Sequence, residues 1–101
     1  MKKHYLEILA DEAPEVKNAF YELADRLREC GLDTKTFELI YIAIKAAAGQ
    51  SDPVHAHAAT AKKAGAKREE VLGAVLMSLL TNGVDGVSAC LAAAIDGYDN
   101  A

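Results

Sequence analysis

Apolar residues recur along most of this chain at the three- and four-residue spacing of a helix face, and strand-like alternation is missing. The pattern predicts an all-α fold. A short first helix is expected from Lys3 to Leu9. Pro14, whose fixed φ suits a first helical turn, opens a second with Val16, Phe20, Leu23 and Leu27 as its inner stripe and Gly31 as its C-cap. Asp33 or Thr34 caps a third helix, which runs through Phe37-Glu38-Leu39-Ile40-Tyr41-Ile42-Ala43-Ile44 to Ala48 and stops at Gly49. Its apolar residues go almost all the way round, so burial on most sides is expected, inside the domain or between subunits. Asp52-Pro53 supplies a cap and a first-turn proline for a fourth helix ending at Gly65. Glu69 and Glu70 suit the positive end of a fifth, which reaches about Thr81 before Asn82-Gly83, and a sixth covers Val84 to Ile95. The expected architecture is a compact bundle of about six helices, with residues 1–101 forming a single domain and no internal repeat.

Composition adds a reason for self-association. Hydrophobic residues make up 51% of the 101 and charged residues 26%, which is too apolar for a disordered polymer. A domain of this size buries only roughly 60–65% of the surface its unfolded chain exposes, so apolar surface is left over for a second copy. A net charge of −4 gives no general attraction to polyanions. Lys62, Lys63, Lys67 and Arg68 flank Ala64-Gly65-Ala66 in a loose helix-turn-helix arrangement, but Glu69-Glu70 open the would-be recognition helix, so no nucleic-acid partner is expected. The longest apolar stretch, Val71 to Ile95, is interrupted by Asn82-Gly83 and Asp85-Gly86, so no membrane span is expected. Near the N-terminus Glu7, Asp11 and Glu12 come before any long apolar run, which argues against a signal peptide and for a cytoplasmic location.

Cys30 and Cys90 lie far apart and form no CxxC, so they are read as reduced, partly buried thiols, with no disulfide framework, zinc site or cofactor implied. Glu38 sits about one turn inside an otherwise apolar helix. A carboxylate there either loses hydration, a setting suited to proton transfer, or points to water and is helped by the helix dipole. His57 shares a helical face with Val54, Ala58, Ala61 and Gly65, so it is expected inside, as a proton carrier or as a hydrogen-bonded core residue. His55 shares its face with Lys62 and Ala66 and is expected outside. The two histidines project to nearly opposite faces, unlike an i,i+4 chelate, so no metal site is expected.

Taken jointly, Glu38, His57, Gly65-Ala66 and Glu69-Glu70 opening an apolar helix resemble the carboxymuconolactone decarboxylase-like superfamily, which includes the alkylhydroperoxidase D type proteins. The resemblance covers about residues 32–95 and includes the entry Leu32-Asp33-Thr34-Lys35. It implies the alkylhydroperoxidase D-like helical fold and homo-oligomers, often trimers or hexamers. It also places Glu38 on the family glutamate, and Gln50 and Pro53 where the redox branch carries its CxxC cysteines. That branch uses one thiolate as nucleophile and the other thiol to resolve it, and neither Gln50 nor Pro53 can do so, which disfavours alkylhydroperoxide reductase or peroxiredoxin-type activity. The decarboxylase branch resembles this chain better. It implies a cofactor-free acid/base lyase acting on a small carboxylated lactone or related organic acid, with His57 donating a proton and Glu38 orienting it. Tyr41 and Lys45 lie one and two turns beyond Glu38 on a similar face. They are candidates for binding a substrate carboxylate, against plainer readings as a packing residue and a solvated charge. The alternative is a non-catalytic oligomer that keeps the fold and binds a small ligand.

Overall fold

A computed structural model describes residues 4–101, and among them the chain is helical with no strand. The helices are α1 (Tyr5–Glu12), α2 (Pro14–Arg28), α3 (Thr34–Ala47), α4 (Ser51–Lys63), α5 (Arg68–Leu76), α6 (Ser78–Asn82) and α7 (Asp85–Asp99). They fall into two compact units, the first up to Leu32 and the second from Asp33 to Ala101. None of the helices is long and apolar enough to cross a membrane.

The first unit consists of α1 and α2, which pack on each other. The predicted first helix began at Lys3, which lies outside the described residues; α1 is capped by His4, whose Nδ1 accepts from the amide of Leu6 at 3.2 Å. Helix α2 opens at Pro14 as expected, but its apolar stripe does not face inward. Val16, Phe20, Leu23 and Leu27 are each about half exposed, between 48 and 58%. The amphipathic pattern is present, yet neither helix of this unit contains a fully buried residue. Two helices alone enclose too little volume to bury such a stripe.

The second unit contains the core. Ile42 and Ala46 of α3, Val54, Ala58 and Ala61 of α4, Val71 and Val75 of α5, and Cys90 and Ala94 of α7 are all removed from solvent. Each set repeats at three or four residues, which is the register a helix needs to present one face to a shared interior. Helix α3 packs against α4, α5, α6 and α7, and most of its residues are buried or half-buried. Ile40 and Ile44 are 43% and 63% exposed.

Helix α7 packs closely on α4 through Gly97 and on α3 and α6 through Gly86. A Cβ on Gly97 would collide with the carbonyl of His55, and one on Gly86 with the carbonyl of Ala46 and the hydroxyl of Ser78. The predicted fifth helix is two helices, α5 and α6, divided at Met77. The backbone of Met77 remains helical at φ −56° and ψ −29°, so the interruption lies in hydrogen bonding. There the buried hydroxyl of Ser78 donates to the carbonyl of Val75 at 2.7 Å, competing with the regular ladder. Two boundaries also move. Helix α4 begins at Ser51 with Gln50 as its N-cap, which puts Asp52 inside the first turn, and α7 continues to Asp99, past the predicted end at Ile95.

Candidate functional site

The start of α3 is fixed by Asp33, whose Oδ1 accepts from the amide of Thr36 at 2.7 Å. That bond holds the Asp33 carboxyl below its ordinary range, because it satisfies the charged form. From this start, the four-residue repeat that buries Ile42 and Ala46 also carries Glu38 inward, to 0% exposure. The carboxylate therefore does not point to water. A lone buried anion is costly, and one is kept only where a partner compensates it.

His57 is one such partner. It lies on α4 one residue before buried Ala58, and its side chain keeps 23% of its surface in solvent. Its Nδ1 stands 2.6 Å from Glu38 Oε2, a short contact of the kind formed when one partner is charged. With Glu38 ionised, Nδ1–H donates to the carboxylate, and Nε2 is the ring nitrogen that this bond does not hold. One nitrogen is committed to the interior, and the ring as a whole is not sealed.

Tyr41, one turn along α3 from Glu38, stacks on this ring with centroids 3.9 Å apart and planes tilted by 30°. Its face is thus engaged by the imidazole. The ammonium of Lys45, one further turn on, lies 5.6 Å from the centre of the Tyr41 ring and donates to Oε1 of Gln50 at 3.0 Å. Gly49, at φ +71°, makes the turn between α3 and α4 that brings Gln50 back toward Lys45. The fold therefore connects Glu38, His57, Tyr41, Lys45 and Gln50 in one string of contacts. Pro53 lies in the first turn of α4, partly buried, and its side chain offers neither donor nor acceptor.

His55 turns elsewhere. Its Nε2 is 2.7 Å from Asp96 Oδ2 on α7, and both side chains are at least half exposed. Among the described residues no three His, Cys, Asp or Glu side chains are grouped to hold a metal. Cys30 is exposed in the first unit, with its thiol donating to the carbonyl of Arg26 at 3.3 Å. Cys90 is buried on α7, where loss of hydration pushes its thiol up from the ordinary value. Two members of the basic cluster around the α4–α5 turn are held by α7. Arg68 grips Asp99 through two bonds of 2.8 and 3.2 Å, and Lys62 donates to the carbonyl of Tyr98 at 3.1 Å. A shallow groove there is lined by Lys67, Arg68, Glu69 and Leu72 and does not include the Glu38–His57 pair.

Two contacts of the site were not foreseen: the stacking of Tyr41 on His57 and the bond from Lys45 to Gln50. The second had a signal, since a donor and an acceptor five residues apart across a helix-ending glycine are folded back toward each other. The first had none, because an α3 residue and an α4 residue meet only once the crossing of the two helices is known. A family model described as the carboxymuconolactone decarboxylase family matches residues 14–96. That span takes in α2 as well as the stretch that carried the resemblance. No curated protein and no solved structure matches the chain.

Proposed function

Given that the chain belongs to the carboxymuconolactone decarboxylase family, we propose that it is a cofactor-free acid/base lyase acting on a small carboxylated lactone or related organic acid. Glu38 and His57 are its proton-handling pair. The observation that carries this reading is the 2.6 Å contact between a wholly buried carboxylate and an imidazole that keeps part of its surface in solvent.

In such a decarboxylation the bond between the substrate carbon and its carboxylate breaks, carbon dioxide leaves, and the electron pair stays on carbon, spread into the adjacent carbonyl. A proton must then reach that carbon. Imidazolium His57 delivers it from Nε2 and becomes neutral, and water restores the proton afterwards. Glu38 accepts from Nδ1–H and holds the ring in one orientation. Lys45 binds a substrate carboxylate, and Tyr41 keeps the imidazole from rotating. Dithiol peroxidase chemistry has no support here, because Gln50 and Pro53 stand at the positions where it needs thiols. The working form in this reading is a homo-oligomer, a trimer or hexamer. Exposed Ile40 and Ile44 on α3, Leu80 on α6 and the apolar stripe of α2 support it.

Incubation with a panel of small carboxylated lactones, followed by detection of carbon dioxide and of the protonated product, tests the proposal. The wild-type chain is expected to turn over at least one of them, and His57→Gln and Glu38→Gln each to lose about a hundredfold or more in kcat. Saturable binding without product would replace the enzyme with a ligand-binding oligomer. Turnover unaffected by either substitution would remove the pair from the mechanism.

A further inference from the structure

Lys45 and Gln50 are joined twice. The Gln50 amide donates to the Lys45 carbonyl at 3.0 Å, and the Lys45 ammonium donates to the Gln50 side-chain oxygen at 3.0 Å. Gln50 is also the N-cap residue of α4, where a short polar side chain ordinarily accepts from the first free amides of its own helix. Its side chain makes no such bond. It reaches back instead to a cation on the preceding helix.

The acceptor on Lys45 is a neutral amide, so the ammonium is oriented without being neutralised. A carboxylate in the same place would have formed an ion pair and cancelled the charge. Only one of the three ammonium protons is used by this bond. The Tyr41 ring stacks on the His57 imidazole and has the Lys45 ammonium 5.6 Å from its centre, which places a positive charge one aromatic ring away from the imidazole.

We propose that Gln50 is a positioning residue that fixes the Lys45 ammonium beside Tyr41 as a carboxylate-recognition subsite, and so sets a preference for anionic over neutral guests. The inference rests on the acid/base reading for where the guest lies, and it stands apart from whether the guest is turned over. An unanchored lysine samples many rotamers, and ordering it on binding lowers affinity. The neutral anchor removes that cost before the guest arrives.

The test follows backbone amide shifts of the full chain during titration with 5-oxotetrahydrofuran-2-carboxylate and, separately, with its neutral methyl ester. The wild type is expected to bind the acid more tightly than the ester. Gln50→Glu supplies an internal carboxylate to Lys45 and is expected to weaken the acid about tenfold while leaving the ester unchanged. Lys45→Met is expected to abolish the preference, and Gln50→Asn, with a shorter reach, to weaken the acid by an intermediate amount. A merely structural role would shift acid and ester alike. Equal affinity of Gln50→Glu and wild type for the acid, a preference that survives in Lys45→Met, or no saturable shift with either compound would overturn the proposal. His57→Gln is expected to keep the anion preference. Loss of turnover with the preference intact, or the preference lost with turnover intact, separates failure of one reading from failure of the other.

Discussion

Glu38 is the residue whose chemistry has the least freedom. A carboxylate at 0% exposure needs compensation, and His57 provides it at 2.6 Å. Removing His57 leaves the Glu38 carboxylate buried without that compensation, removing Glu38 leaves an imidazole that still reaches solvent, and replacing both with apolar side chains removes the difficulty. His57→Leu is therefore expected to lower unfolding free energy by about 3 kcal/mol and Glu38→Leu by less, while the double variant regains most of the His57→Leu loss. Urea unfolding of the three variants measures this, and strictly additive losses would show that the two side chains do not interact. A recovered double variant without activity would mean that the pair is kept for what it does to a guest, since the fold has no need of it. Sequence pattern made Glu38 ambiguous, because a glutamate one turn into a helix faces water or core according to a rotation of under half a turn. The register set by Asp33 at the helix start decides it, and that register could be read only approximately, Asp33 and Thr34 being equal candidates as cap.

At the scale of elements, the predictable features were those encoded within a few residues. Pro14, Gly49 and Gly65 marked real boundaries, with Gly49 and Gly65 both at positive φ. The division of α5 from α6 was not legible, since it depends on where the Ser78 hydroxyl finds its acceptor. The approach of α4 to α7 was equally hidden. Gly97 reads in sequence as a weakness in a helix, and an alanine there ought to raise helix stability by up to about 1 kcal/mol. In the fold its missing Cβ makes room for the His55 carbonyl. Gly97→Ala is therefore expected to destabilise by about 2 kcal/mol, read as a lowered thermal midpoint, and a raised midpoint would refute the close packing.

Helix ends also set the response to acid. Asp33 is held low by the Thr36 amide, Glu70 by the Lys67 amide and then by Lys35, and Asp99 by the Arg68 guanidinium. Carboxyls whose folded values are depressed bind fewer protons in the folded state than in the unfolded one. Their contribution is thus complete above the ordinary carboxylate range and is lost as pH falls below about 4. The double variant Asp33→Asn, Glu70→Gln is expected to be less stable at pH 7 and to lose less stability on acidification. Parallel curves of urea midpoint against pH for wild type and variant would contradict this.

For the whole molecule, the all-α class and the family were legible, because helical periodicity and the Glu38, His57 and Gly65 spacing are both local patterns. The fate of the apolar stripe of α2 was not, because a periodic pattern records that a face is apolar without recording what covers it. The proposed function depends on one junction between α3 and α4. Long-range proton–nitrogen correlation spectra of the His57 ring test that junction most directly. The account predicts that Nδ1 carries the proton in the neutral ring, and that Glu38→Gln releases the ring to exchange between both tautomers. A His57 ring that already interconverts freely in the wild type, with no response to Glu38→Gln, would contradict it.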